Sequence, residues 1–271
     1  MSTIALDHLA RRSSGSASTL SHILMMTGRS LTTLLRRPGE LAANILIGAF
    51  FLFVFDAALG ESFSFLPNLS GVNYVAFILP FSVISSALNS YSGQAMVRDI
   101  ESGYFDKLRL TPVSRSALLL GHILTGGVAI AFQSAVIIGI GFLLGLEVVT
   151  GISGVLVTVG FALLVGIGFG GFTVGVALRT GNAGATQSAS FLFFPLSFLT
   201  TALFPLDFLE GWLATVARFN PITYILDAIR SVLITGWDAQ ALLFGLAAAT
   251  ALCVLPFVFA VTGLRRRMRS R

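Results

Sequence analysis

Long apolar runs alternate along this chain with short polar breaks, and the breaks set the expected element boundaries. Residues 1–19 are polar, ending in a Ser- and Gly-rich stretch, and are expected to form a disordered tail. From Leu20 onward Leu20, Ile23, Leu24, Leu31, Leu34 and Leu35 recur at helical spacing, with Arg29, Ser30, Thr32 and Arg36 between them. That pattern predicts an amphipathic helix too polar to span and suited to lying in the headgroup layer. Pro38-Gly39 then turns the chain into the bilayer.

Six apolar runs follow, at about 41–59, 74–97, 116–146, 152–178, 183–203 and 239–264, the last with Pro256 as a kink. About 20 residues suffice to cross the roughly 30 Å hydrocarbon layer. A backbone in lipid must satisfy its own hydrogen bonds, so the runs are expected to be helices. The expected fold is an all-α membrane protein of six spans, with a transmembrane domain over 20–264 and a basic tail over 265–271.

Composition sharpens this picture. Residues are 55% hydrophobic and 11% charged, against roughly a quarter charged in soluble domains. Six spans leave no room for a soluble catalytic domain. Placing the N-terminus inside puts 15 of the 17 basic residues on the cytoplasmic side, leaving Arg218 and Arg230 outside. The positive-inside rule thus assigns both termini to the cytoplasm of a plasma membrane. The net charge of +5 then reflects topology and contact with anionic lipid rather than nucleic-acid binding. The N-terminus lacks the apolar core of a signal peptide. Cys253 is the lone cysteine and His8, His22 and His122 are scattered, so no metal cage is expected.

Several patterns have a plain packing explanation. Gly166, Gly168 and Gly171 spell a dinucleotide-type GxGxxG, but inside an apolar span with no preceding strand. Small-residue spacing for close helix contact explains them better. No phosphate-binding loop exists, because the only lysine, Lys107, follows Asp106. The polar residues within spans are Asn44, Asn89, Gln94, Gln133 and Gln187. They either hydrogen-bond between helices or line a translocation path. No acid stands near a midplane, and Asp56 sits near an outer end, which weakens ion-coupled transport.

Residues 204–236 set five charged residues (Asp207, Glu210, Arg218, Asp227 and Arg230) among apolar ones and predict two short helices dipping into the outer leaflet. Asn220 and Pro221 suit a helix start. Asp227 and Arg230, three apart, share a helix face and can pair.

The most informative stretch is 98–124, a dense charged block between apolar runs. Phe105, Leu108 and Leu110 sit at near-helical spacing beside Asp106, Lys107 and Arg109, with a stop at Thr111-Pro112. A short helix with one apolar and one charged face can dock in a groove of a soluble partner and act as a rigid lever.

This block resembles the segment shared by ABC-2-type permeases, the membrane subunits of ATP-binding-cassette exporters. Glu101, Gly103, Leu108, Thr111, Pro112, Val113, Ser114, Arg115 and Gly121 match, while Tyr104 stands where the family usually has Thr. Asn220, Pro221, Thr223, Tyr224, Ala228 and Arg230 resemble the family's element before the last span. The likeness covers nearly the whole chain and is strongest to daunorubicin-resistance-type permeases of actinobacteria. It implies a bacterial exporter of drugs, lipids or glycans, built from two permease subunits, identical or homologous, and two copies of an ABC ATPase. ATP and Mg would be used by that partner, with no cofactor in this chain. It further implies that residues 102–110 form a coupling helix, with Glu101, Lys107 and Arg109 touching the ATPase and Pro112 and Gly121 setting the lever angle. The competing expectations are a lipid-linked glycan exporter, a non-transporting scaffold, a secondary transporter using Asp56, and a membrane-embedded enzyme. The last lacks any clustered catalytic set.

Overall fold

The computed structural model describes residues 19–63, 73–87, 91–109 and 115–269. The N-terminal tail, Asn89, Thr111 and Pro112 lie outside the described residues, as do the side chains of Leu108, Arg109 and Arg115. All regular structure among the described residues is helical. The order is α1 (Thr19–Leu35), α2 (Pro38–Phe63), α3 (Tyr74–Ser86), α4 (Tyr91–Glu101), α5 (Tyr104–Arg109), α6 (Arg115–Leu143), α7 (Ile152–Thr180), α8 (Ala183–Phe191), α9 (Phe193–Phe198), α10 (Gly211–Phe219), α11 (Pro221–Arg230) and α12 (Ala239–Arg269).

Among the described residues, five segments are long and apolar enough to cross a membrane: Pro38–Phe63, Tyr74–Glu101, Ala117–Leu143, Ile152–Thr180 and Ala239–Arg269. The expected span over 183–203 is instead two short helices, α8 and α9. Pro195 explains the break: its missing N–H is the one that would have bonded the carbonyl of Phe191, where α8 ends. Apolar content alone passes over such a break.

The two helices expected in 204–236 are α10 and α11, preceded by a 3₁₀ turn at Leu206–Phe208. A π turn at Ser231–Thr235 extends α11. As the sequence indicates, Asn220 caps α11, accepting from the Ile222 N–H at 3.0 Å, with Pro221 in the first turn.

Three cores organise the helices. The largest gathers α3 with inward residues of α2, α6, α7 and α11, including Leu52, Phe81, Ile137 and Ile225. Phe51, Phe81 and Phe198 meet ring to ring, at 5.1–6.1 Å between centroids, which fastens α9 onto α2 and α3. A second core at the other end joins Met96, Phe105, Ile123, Leu178 and Leu264. A third, smaller one joins Leu34, Tyr91, Ala95 and Ala129.

The glycines of the GxGxxG run serve close packing. A Cβ on Gly166 would stand 2.9 Å from the Cα of Gly127 on α6, and one on Gly168 would meet the Leu252 carbonyl of α12. Helices in lipid gain association energy from such approach, since apolar burial offers no advantage over lipid tails.

Candidate functional site

α5 stands between the segments of the second and third expected spans and is the observed part of the helix expected over 102–110. The turn into it is made by Ser102 and Gly103, the latter at φ +69°, a conformation glycine adopts without penalty. Phe105 points inward and is 3% exposed, packed in the second core with Met96, Leu119 and Ile123. The apolar face expected to meet a partner therefore anchors α5 to its own protein through Phe105. Glu101 and Lys107 are exposed on the other side.

A polar cluster behind α5 fixes its place. Asp99, at the end of α4, accepts two hydrogen bonds from the Arg29 guanidinium of α1, both at 3.1 Å. Such a two-pronged pair adds geometric definition as well as attraction. His122 of α6 brings Nε2 within 3.1 Å of the same carboxylate, while its Nδ1 lies 3.0 Å from the Leu118 carbonyl. The Arg29 guanidinium also covers the ring of Tyr104, 3.8 Å from its centroid. Partial burial works against the charge of Arg29, but the hydrogen bonds and charge of Asp99 outweigh it and raise its pKa. Three elements, α1, α4 and α6, thus meet at one carboxylate, and α5 joins them through Tyr104 against Arg29. His122 and Asp99 are 23 positions apart, on either side of the connection, so sequence spacing gave no signal of their contact.

Gly121 allows a close helix crossing. A Cβ there would sit 2.6 Å from the Cβ of Met26, so it marks the crossing of α1 over α6. The Thr125 hydroxyl donates to the Thr27 carbonyl at 3.4 Å beside it.

Four of the five mid-span polar residues converge. Asn44, Gln94, Gln133 and Gln187 line one cavity of about 340 Å³, together with Glu40, Arg98, Tyr91, Leu34, Leu41 and Ala43. The Gln94 amide donates to Gln187 Oε1 at 3.1 Å and to the Ala183 carbonyl at 3.3 Å. At one edge Glu40 accepts from Arg37 at 3.2 Å and from Arg98 at 3.4 Å.

The element around 220–230 is a third cluster. Asn220 Nδ2 donates to the carbonyls of Leu196 and Leu199, both at 2.9 Å, binding α11 to the end of α9. The Tyr224 hydroxyl donates to the Arg218 carbonyl at 2.7 Å. Asp227 and Arg230 pair at 3.5 Å. Arg230 also donates to the Phe77 carbonyl of α3 at 3.0 Å, the Thr201 hydroxyl at 3.1 Å and the Ala202 carbonyl at 2.9 Å. It is 7% exposed. These residues staple helices together.

The family pattern described as ABC-2 type transporter matches residues 21–234, from α1 through the π turn after α11. The chain belongs to the ABC-2 type transporter family. This is a family of membrane proteins, the permease subunits of transporters. The ABC-2 permease is 28% identical over 239 residues to a putative transport permease, ycf38, of Cyanophora paradoxa, covering 85% of this chain and 81% of that one. It is 23% identical over 249 residues to a probable doxorubicin resistance ABC transporter permease protein, DrrC, of Mycobacterium tuberculosis, covering 91% and 89%. With a daunorubicin resistance ABC transporter permease protein, DrrB1, of Streptomyces coeruleorubidus it shares 26% over 230 residues, 82% and 77% of the two chains.

Proposed function

We propose that this permease is the membrane subunit of an ATP-driven exporter that moves a lipophilic or amphipathic solute, a drug, antibiotic or lipid, out of the cell. The observation that carries the proposal is α5: a short helix between two apolar segments, anchored by Phe105 and Arg29, with Glu101 and Lys107 turned outward. A lever needs a rigid inner attachment and a polar outer face, and α5 has both. In this reading two copies of a separate ABC ATPase seat on α5 of two permease subunits. ATP-driven closure of the ATPases pushes α5, and the push passes through Asp99 to α1, α4 and α6. Glu101, Lys107 and Arg109 contact the ATPase, and Thr111, Pro112 and Arg115 link α5 to the next span.

The same reading makes α8 and α9 together the fifth of six crossings, interrupted at Leu192. Both termini then lie in the cytoplasm, α1 lies at the inner interface, and α10 and α11 form a re-entrant pair on the outer side. The placement of basic residues supports this orientation.

The test is co-purification with an ABC ATPase in lipid, followed by ATPase and vesicle-transport assays. Wild-type chain is expected to form a stable complex, and Glu101→Arg to lose coupling of hydrolysis to transport while still inserting. No complex with any ABC ATPase, or normal coupling by Glu101→Arg, would overturn the lever assignment and favour the scaffold alternative.

A further inference from the structure

α12 ends in a stripe that neither the transport reading nor the packing of the bundle uses. Leu255, Val258, Thr262, Arg265, Arg266 and Arg269 follow one another at helical spacing and share one face. All six are exposed. The face is aliphatic up to Val258 and cationic from Arg265 on, with Thr262 at the change. We propose that this stripe binds an anionic phospholipid, held on the bilayer side of the bundle as a resident ligand and not as cargo.

Topology and the helix dipole both favour arginines at this end of α12, but arginines on any face would serve them. The arginines here are divided between faces. Arg267 turns back to the bundle, where it donates to the Leu178 carbonyl of α7 at 3.1 Å. Arg265, Arg266 and Arg269 border one open pocket with Thr262.

A further guanidinium stands beside that pocket. Arg179 of α7 donates to the Thr262 hydroxyl at 2.6 Å and to the Gly175 carbonyl at 2.9 Å. It also covers the Phe259 ring, 3.6 Å from its centroid. These contacts hold its charge in place without neutralising it. Among the described residues, no carboxylate pairs with Arg179, Arg265, Arg266 or Arg269. Like charges gathered in this way repel one another until an anion is supplied. A phosphate diester supplies one, and a guanidinium meets its oxygens with paired N–H donors.

The rest of the stripe says what the phosphate is attached to. Val258 and Leu255 lie about 6 and 10 Å along the helix from Thr262, at 1.5 Å per residue. A phosphate among the arginines therefore lays its acyl chains along exposed aliphatic side chains. A soluble phosphate leaves that part of the face unused. A zwitterionic head brings its own ammonium, which the arginines repel.

The test titrates the full chain in neutral detergent with dioleoyl phosphatidylglycerol or dioleoyl phosphatidylcholine and counts bound lipid by native mass spectrometry. Phosphatidylglycerol is expected to bind at least about tenfold tighter, roughly what one to two arginines add beside an anionic lipid. Arg265→Gln with Arg266→Gln is expected to remove that preference. Arg36→Gln with Arg37→Gln, which removes as much charge from exposed positions elsewhere, is expected to keep it. Should the α12 double variant not fold, Arg269→Gln is expected to weaken phosphatidylglycerol binding and leave phosphatidylcholine binding unchanged.

Equal binding of the two lipids, or a folded α12 variant that keeps the preference, overturns the proposal. An equal loss in the Arg36 and Arg37 variant overturns it too, because the preference then comes from overall charge. Displacement of the lipid by glycerol phosphate at a matching concentration assigns the arginines to a soluble anion instead. If the α12 variant keeps the lipid preference but no longer captures an ABC ATPase, the arginines belong to a protein interface. The proposal does not rest on the transport reading: a chain that prefers phosphatidylglycerol but engages no ATPase keeps the lipid site and loses only that reading.

Discussion

α3 and α12 are both apolar helices with an internal proline, and they use their apolar character in opposite ways. Every residue of α3 from Tyr74 to Ser86 is buried. In α12 the buried residues are Gly245, Ala249, Ala260, Gly263 and Leu264, while Leu243, Leu246, Leu255 and Val258 are exposed. α3 carries Ser82, Ser85 and Ser86 inside, whereas α12 turns its large aliphatic side chains outward. In water the outward aliphatic face of α12 would be inverted. With lipid as solvent, small and polar groups hold helices together and large aliphatic ones meet the surroundings.

Four substitutions would sharpen or break that contrast, each read as unfolding free energy of the reconstituted protein. Arg230→Ala is expected to have the largest effect, a loss of about 3 kcal/mol, because a buried charge and its bonds to α3 and the chain before α10 disappear together. Phe81→Ala is expected to cost about 2 kcal/mol. The unfolded side chain already rests in lipid, so the cavity and lost contacts dominate over transfer from water. Gly168→Ala should cost about 1–2 kcal/mol, since the new methyl meets backbone of α12 rather than a movable side chain. Leu255→Ala, at a position 70% exposed, is expected to change stability by less than about 0.5 kcal/mol. A large effect at Leu255, equal to that at Phe81, would mean that a partner rather than lipid covers this face of α12.

These expectations mark what the sequence could reveal. The helical runs, the amphipathic start at Thr19–Leu35, the cap at Asn220 and the Asp227–Arg230 pair follow from local spacing, and each was legible. The interruption after Phe191 is masked by apolar content, although Pro195 signals it. The Asp99 cluster was hidden because its members come from positions 29, 99, 104 and 122, and no local rule links them. Asn44, Gln94, Gln133 and Gln187 were visible as a set of polar residues in greasy surroundings. Only packing shows that they border one space. Arg230 illustrates both sides: its partner three residues away was readable, and its hold on Phe77, 153 positions earlier, was not.

The glycine face of α7 also bears on how the chain is made. Gly168, Gly171 and Gly175 meet Leu252, Pro256 and Phe259 of α12, and α12 begins roughly sixty residues after α7 ends. At the usual pace of synthesis that interval is several seconds. During it the face of α7 must wait in the translocon or in lipid without its mate. Glycine suits that wait: it offers no side-chain polar group to be stranded and no bulky knob to attract a wrong neighbour. The last helix can then close the bundle after its release from the ribosome, and errors in assembly are expected to concentrate at this late seam.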